Sequence, residues 1–581
     1  MGDAVKWDFE TDLLIAGAGA AGMAAALVAK IEGLDVLVCE KTDQVGGTTS
    51  TAGGTTWVPN NSLSEATTNP DHPDKAKLYM EGEVGPDSFG LQEAFLATGR
   101  EAIDYFARHT EVKYKANDPY PDYHSHEPGG AAGGRGLAPL PFDGRLLGKE
   151  FERVRPPIPE LLALGGMMVA REEIKYLIRP WASVKAFTLS ASRFLRYVSD
   201  RTKYSRGTRL VLGNALVARL YYSCRQKGID ISFNTKLVEL VKNGDRVEGA
   251  IFDRNGKRYA VRARIGVMLA TGGVGANREW RDKLTGTQIP YTMALDCASG
   301  DGVQIGQTVG GELVPGRTSS FWWMPSSVIR YPNGRVATYP HVRDRAKPGL
   351  IAVNGKGRRF VNEAASYHDV VSAMLRLEKT ESTIPAWLIC DRAFVRNYGL
   401  GVIPPMFQNV SYWEKIGYVQ SAPTIAELAK KIGVDPNALQ EEVALHNRDS
   451  LTGVDTAFGK GSTPFNRHNG DPQNKPNPCL KPIENGPFFA VAVYPAPLGA
   501  AAGLRTDPNA RVLDGDGNPI EGLYACGNDM HSVMEGNYPG PGSTLGPAVT
   551  FAYRAAMHAT EVRKGIKADT ASSQTTTGAA A

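Results

Sequence analysis

The chain is poor in cysteine, and none of its cysteines is spaced as a ligand pair. Cys39, Cys224, Cys297, Cys390, Cys479 and Cys526 form no CxxC and no CxxCH. That argues against an iron–sulfur cluster, c-type haem and a disulfide scaffold, and it suits a reducing compartment, the cytoplasm; no metal site is expected. A secretory signal is missing too, because the N-terminus MGDAVKWDFETD is acidic and polar. Charge of one sign is scarce: 65 Lys and Arg stand against 61 Asp and Glu, a net +4 over 581 residues. So small an excess does not point to nucleic acid as a partner. Long hydrophobic runs are also lacking. The uncharged stretch Leu13–Ala29 is slightly short for a membrane span and rich in glycine. What remains is ordinary globular composition, with length for more than one domain.

That glycine-rich stretch reads as a nucleotide-binding turn. In DLLIAGAGAAGMAAALVAK a buried strand meets a helix through Gly17, Gly19 and Gly22, the GxGxxG spacing. Eighteen residues after Gly22, a second apolar strand, DVLVCE, ends in Glu40. The first glycine permits the tight turn, the second lets a pyrophosphate approach, and the third packs helix on strand. The helix N-terminus attracts the anion, and Glu40 can accept from ribose hydroxyls. A second glycine–threonine cluster follows directly, KTDQVGGTTSTAGG, and offers further N–H groups and hydroxyls.

Here the chain resembles the fumarate reductase / 3-ketosteroid dehydrogenase flavoprotein superfamily. Glu40, Lys41, Gly46, Gly47, Thr48 and Thr49 look like its FAD site, ATGG at Ala270–Gly273 like a strand end typical of it, and EGLYACGND at Glu521–Asp529 like its C-terminal flavin strand. The resemblance implies an α/β fold: a two-dinucleotide-binding, Rossmann-like FAD domain with an inserted α+β substrate-capping domain. It implies FAD as cofactor, held by Gly17, Gly19, Ala21, Gly22, Glu40, Lys41, Gly46, Gly47, Thr48, Thr49, Leu237, Ala270, Thr271, Gly272, Gly527, Asn528, Thr544, Leu545 and Gly546. The expected division is an FAD-binding domain at 8–316 and 486–565, a substrate domain at 317–485, and a disordered small-residue tail at 566–581.

One segment exceeds what the superfamily needs. From 151 to 209 there are 12 Lys or Arg and 5 Asp or Glu, so the rest of the chain is net negative. Trp181, Val184, Phe187, Phe194, Leu195 and Val198 alternate there with basic residues. The pattern suits a peripheral helix on an anionic membrane, at the inner face of the cell membrane. It equally suits a helical pair packed on the protein with Arg and Lys at its rim, and both readings stay open.

Fold does not decide chemistry, so three further stretches carry it. They are DPYPDYHSHEPGG, VNGKGRRFVNEAASYHD and GNYPGPGSTLGPA. The last puts four glycines and three prolines around Tyr538, just before a helical pattern. Fumarate reductases place a proton-delivering arginine after the second stretch, where this chain has Tyr367. YPGPG and PDY instead resemble 3-ketosteroid Δ1-dehydrogenases. That resemblance assigns the catalytic set to Tyr123, Tyr367, Tyr538 and Gly542, with Tyr120 an alternative to Tyr123. It implies a 3-ketosteroid substrate, with Tyr538 and the Gly542 N–H on the C3 carbonyl oxygen, Tyr367 as base and Tyr123 as its helper. Without cluster or haem, electrons would leave to an external acceptor, a quinone or oxygen. A Δ4-(5α)-dehydrogenase of 3-ketosteroids is the alternative activity, and a fumarate reductase-like enzyme a more distant one. SSFWWMP, Ser319–Pro325, reads either as an apolar substrate wall or as core.

Overall fold

The strand and helix read from the first glycine turn open the fold. The computed structural model describes residues 5–406 and 410–577, with backbone alone for Arg171 and 567–577. In chain order the strands are β1 (Phe9–Ala16), β2 (Val36–Cys39), β3 (Asp230–Ser232), β4 (Thr235–Asn243), β5 (Arg246–Arg254) and β6 (Lys257–Leu269). Then follow β7 (Phe321–Arg330), β8 (Val336–Pro340), β9 (Leu350–Val353), β10 (Ala386–Asp391), β11 (Gln420–Ala422), β12 (Phe488–Ala500), β13 (Arg511–Leu513) and β14 (Pro519–Ala525). The helices that position the site are α1 (Ala20–Ile31), α2 (Pro73–Glu83), α3 (Val184–Arg201), α4 (Tyr367–Glu381) and α5 (Leu545–Thr577).

The main sheet has the order β13-β14-β5-β6-β1-β2-β3, with β4 paired to β5 off this path. Its centre is parallel: β1 pairs with β2 and β6, and β6 with β14. Parallel strands covered on both faces are apolar throughout, as Leu13, Leu14 and Ile15 are, all fully buried. α1 lies on this sheet with α5 packed along it. Gly17 (φ +109°) is where strand turns into helix; a Cβ there would come within 2.2 Å of the Ala270 carbonyl oxygen. α5 continues to Thr577, into the segment whose composition reads as disordered, and residues 578–581 of that segment lie outside the described residues.

A second sheet, wholly antiparallel, has the order β8-β7-β12-β10-β9, with β11 paired to β12. Phe488–Ala500 is its central strand. The strand alternation of β7 decides the SSFWWMP question residue by residue. Phe321 and Trp323 point into the large core, whereas Trp322 and Met324 join Tyr123, Tyr367 and Tyr538. The RRFVNE stretch anchors α4: Arg359 pairs with Glu363 (2.7 Å) and with Asp455 (2.8 Å), all three fully buried.

A comparable buried network holds the loop before Tyr123. Arg135 pairs with Asp71 and Asp122, each at 2.8 Å, with side chains at most 2% exposed. The other Asp122 oxygen accepts from Trp57 Nε1 at 2.8 Å. Removing one partner of such a network strands the other charges. Arg135→Met should therefore lower unfolding free energy by about 3–5 kcal/mol, measured by urea denaturation.

Candidate functional site

The two sheets meet over a cavity of about 2030 Å³. That is about twice the upper end of the ~300–1,000 Å³ usual for ligand pockets, so it has room for a cofactor and a second molecule. Seventeen of the nineteen residues expected to hold the cofactor line it, and Gly22 and Gly546 do not. A Cβ on Gly22 would meet the Gly17 carbonyl oxygen at 2.0 Å, and one on Gly546 the Trp57 carbonyl oxygen at 1.8 Å, so these two glycines serve packing. At Gly19 a Cβ would meet nothing within 4 Å, so its backbone faces open space at the helix start. Glu40 is pre-set: one carboxylate oxygen accepts from the Ala18 N–H (2.8 Å), the other from the Thr42 N–H (2.9 Å). Lys41 is tied to Asp301 (2.8 Å) and Ser299 (2.7 Å). The second glycine–threonine cluster turns at Gly46 (φ +113°) into a short 3₁₀ segment, Gly47–Thr51. Asp529 secures the ATGG turn, accepting from the Thr271 hydroxyl (3.0 Å) and the Gly273 N–H (2.8 Å). Backbone N–H groups at a helix start, open glycine backbone and a buried acid are the features a dinucleotide requires, so these residues fit FAD.

The three tyrosines converge at the far side of the cavity. Tyr123 and Tyr367 share a hydroxyl–hydroxyl hydrogen bond of 2.8 Å. Tyr123 stacks on Tyr538 (centroids 5.7 Å, 11°), and Tyr367 meets Tyr538 edge-on at 5.3 Å. Three separate elements supply them. Tyr123 lies in a loop fixed through its N–H to the Pro539 carbonyl (3.0 Å). Tyr367 is the first residue of α4, capped by Ser366, whose hydroxyl accepts from the Asp369 N–H at 3.1 Å. Tyr538 stands on the proline–glycine turn that leads into α5.

Crowding makes that turn stiff. At Gly542 (φ +98°) a Cβ would lie 2.2 Å from the Thr55 carbonyl oxygen, and at Gly540 2.4 Å from Trp57 Nε1. The Gly542 carbonyl accepts from the Trp57 N–H at 3.1 Å. Its own N–H has no partner among the described residues, and the residue lines the cavity. Burial pushes the Tyr538 hydroxyl above its usual pKa, and hydrogen bonds to Tyr367 and Thr544 pull against that rise. Burial raises Tyr123 and Tyr367 as well. All three are therefore neutral at pH 7 in this arrangement.

Several contributors carry no sequence signal of their own. Phe465 lies 4.7 Å from the Tyr123 ring, and Tyr120, which packs on His468 at 4.7 Å, borders the tyrosine cluster and lines the cavity. His368 stacks on Tyr538 (6.2 Å), accepts from the Trp323 N–H (3.4 Å), and is held neutral by burial, at about 4. The basic segment 151–209 contributes more than its charge predicted. Its part from Pro157 to Trp181 walls the cavity. α3 then docks by its rim: Arg193 pairs with Glu173, which Arg209 beyond the helix also holds, and Arg196 pairs with Asp143. The opposite side of α3 stays exposed, with Val184 at 80%, Phe187 at 64% and Leu195 at 66%. Among the described residues no helix is long and apolar enough to cross a membrane, and no cluster suits a metal ion.

Comparison with known proteins agrees with this geometry. The family model described as FAD binding domain matches residues 12–545. The chain is 36% identical to the 4-oxocyclohex-2-ene-1-carboxylate 5-dehydrogenase of Sinomonas cyclohexanicum, over 94% of this chain and 92% of that one. It is 33% identical to the 3-oxosteroid 1-dehydrogenase of Mycobacterium tuberculosis, over 94% and 98%. A crystal structure of 3-ketosteroid delta1-dehydrogenase from Sterolibacterium denitrificans, in complex with 1,4-androstadiene-3,17-dione, superposes with a TM-score of 0.88 at 35% identity, covering 95% of this chain and all of that one. The chain is thus an FAD-dependent oxidoreductase that belongs to the FAD binding domain family, together with the 3-oxosteroid 1-dehydrogenases.

Proposed function

We propose that this enzyme introduces the Δ1 double bond into ring A of 3-ketosteroids, a step of steroid degradation. The observation that carries the reading is the convergence of Tyr123, Tyr367, Tyr538 and Gly542 on one end of a cavity that also holds the cofactor residues. The C2 proton of a 3-ketosteroid is acidic only when the C3 carbonyl is drawn toward an enolate. Two neutral donors on that oxygen form an oxyanion hole. The Tyr538 hydroxyl, kept protonated by burial, and the unpartnered Gly542 N–H fill this role. Tyr367 takes the C2 proton. A tyrosine of ordinary pKa, about 10, is a poor base near neutrality, and burial makes it poorer. In the neutral cluster the hydrogen bonds to Tyr123 and Tyr538 add to that rise. What favours the tyrosinate is the position of Tyr367 at the positive N-terminus of α4 and, once it is ionised, the Tyr123 hydroxyl that donates to it. FAD, held by the residues that line the cavity, would supply the hydride acceptor for C1, and the electrons would leave to an external quinone or oxygen. The start of α5, at Thr544 and Leu545, sets a positive helix end toward the cavity.

We place the FAD-binding unit at 8–316 and 486–565 and the capping unit at 317–485, with Phe488–Ala500 crossing into the cap's sheet. The protein works in the cytoplasm, and the exposed apolar side of α3 rests on the inner face of the membrane, where a sterol substrate dissolves.

A second reading has its own support. The 36% relative acts on a monocyclic oxo acid, by its name, and the same carbonyl clamp would serve it. The size of the cavity and its apolar wall, with Met293, Met324 and Leu498 beside the tyrosines, favour the larger skeleton.

Anaerobic mixing of the oxidised protein with androst-4-ene-3,17-dione should bleach the flavin. Bleaching instead by a 5α-reduced 3-ketosteroid, by 4-oxocyclohex-2-ene-1-carboxylate or by succinate would replace the proposed activity with the matching one. Tyr367→Phe should lower kcat by about 10³-fold or more with FAD still bound, a loss at the strong end of general-base effects; near-normal turnover would remove it from the role of base. Gly542→Ala, whose Cβ would meet the Thr55 carbonyl oxygen at 2.2 Å, should shift the turn and displace the N–H donor, lowering kcat/KM by about 10²-fold in steady-state assays. Val184→Glu, Phe187→Glu and Leu195→Glu together should abolish co-sedimentation with anionic vesicles; unchanged sedimentation would refute the membrane contact.

A further inference from the structure

Behind the tyrosine pair sits a histidine between two carboxylates. His124 follows Tyr123 directly, and its Nε2 lies 2.8 Å from Asp369, two residues after Tyr367. Its Nδ1 is hydrogen-bonded to Glu83 at the end of α2. Its backbone N–H donates to the Tyr79 hydroxyl (3.3 Å), which donates to the Pro539 carbonyl (2.7 Å) beside Tyr538. The loop and the first turn of α4 are thus joined twice, once through Tyr123–Tyr367 and once through His124–Asp369, both at 2.8 Å.

The two bonds differ in kind. The first is between neutral hydroxyls, which is weak and tolerates sliding. The second is charge-assisted, shorter-ranged in geometry and stronger. Burial works against a charge on His124, but the carboxylates of Asp369 and Glu83 outweigh it and raise the imidazole to about 10. Asp369 is held ionised by the same contact. Asp369 already pushes the Tyr123 hydroxyl up, so an unneutralised Asp369 would oppose negative charge on the Tyr123–Tyr367 pair.

We propose that His124 is a positioning residue for the proton transfer: as an imidazolium bridging Glu83 and Asp369, it clamps the loop of Tyr123 to the turn of Tyr367 and cancels the Asp369 charge beside the base. This rests on Tyr367 being the base. The other groups that face the pair are Tyr120 and His126 of the same loop, Tyr538 of the turn, His368 of α4, and Arg345. The Arg345 charge also reaches Asp369, but its donors are taken by the carbonyls of His341, Glu363 and Ala365, and His368 is neutral, so neither replaces the hydrogen-bonded bridge that His124 makes to Asp369.

The test is the pH dependence of flavin bleaching in anaerobic single turnovers of the holoenzyme with androst-4-ene-3,17-dione. His124→Gln should lower the bleaching rate about tenfold at pH 8 and move its rising limb up by about one pH unit, with FAD content unchanged and KM altered less than kcat. Asp369→Asn should move the limb downward, and the double variant should return it near the wild-type position. His124→Arg, which keeps a cation between the carboxylates, should rescue most of the rate. Superposable pH profiles for the wild type and His124→Gln, whatever the change in thermal stability, would reduce His124 to a structural strut. If His124→Gln does not fold, Asp369→Asn and His124→Arg decide: an unmoved limb in Asp369→Asn overturns the proposal. Full activity of Tyr367→Phe would instead overturn the base assignment beneath it.

Discussion

The structure depends on one place where a glycine-rich turn lies directly against the backbone and the indole of a neighbouring segment. The turn through Gly540, Gly542 and Gly546 presses against Thr55–Trp57 so closely that a single methyl group at any of the three would overlap an atom of that segment. Only glycine permits this approach. The contact sets Tyr538 over the cavity, aims the Gly542 N–H into it, and fixes where α5 begins. It also orders the neighbours: Trp57 holds Asp122, Asp122 holds Arg135, and the loop so braced carries Tyr123.

Ionic networks supply the second layer of rigidity, and they explain motifs that look chemical. The glutamate of RRFVNE is not poised for acid–base work; Arg359 and the Ala352 N–H occupy it. Its function is to seat the loop from which α4 starts, and so to put Tyr367 at a helix N-terminus. Buried charge pairs of this kind add little net stability but penalise any alternative arrangement, which suits a site whose reacting groups come from three distant segments.

Much of this was legible in the chain. GxGxxG with Glu40 downstream needs only local geometry, so the sequence pattern and the βα turn coincide. The tyrosine set was legible through resemblance, since nothing in a lone tyrosine distinguishes it from packing. Alternation along β7 was readable in principle, yet which of Trp322 and Trp323 faces the site depends on the phase of the strand, set by pairing with Phe488–Ala500 far away. Phe465, His124 and Glu83 were invisible because their roles exist only once α2, the loop and α4 meet. The basic segment was legible only as composition: Arg193 and Arg209 pair with Glu173 and Arg196 with Asp143 and Asp200, while its apolar residues divide between cavity wall and exposed surface.

The strands β7 and β12 bear on how this cavity opens. Their ends are stitched to the catalytic turn: the Ala501 N–H donates to Ser320 (2.9 Å), the Ser532 N–H to Ala501 (3.0 Å), and the Thr318 N–H to Glu535 (3.0 Å). Rocking the second sheet would drag Tyr538 and Gly542 with it and break the alignment they exist to keep. The wall at 157–181 meets that sheet at the tip of the β7–β8 hairpin, where Glu160 accepts from the Tyr331 hydroxyl (3.0 Å) and pairs with Arg335 (2.6 Å), at the far end from the stitched strand ends. None of Tyr123, Tyr367, Tyr538 and Gly542 stands on that wall, so substitutions there would change the shape of the space offered to a ligand while leaving the geometry of proton transfer in place.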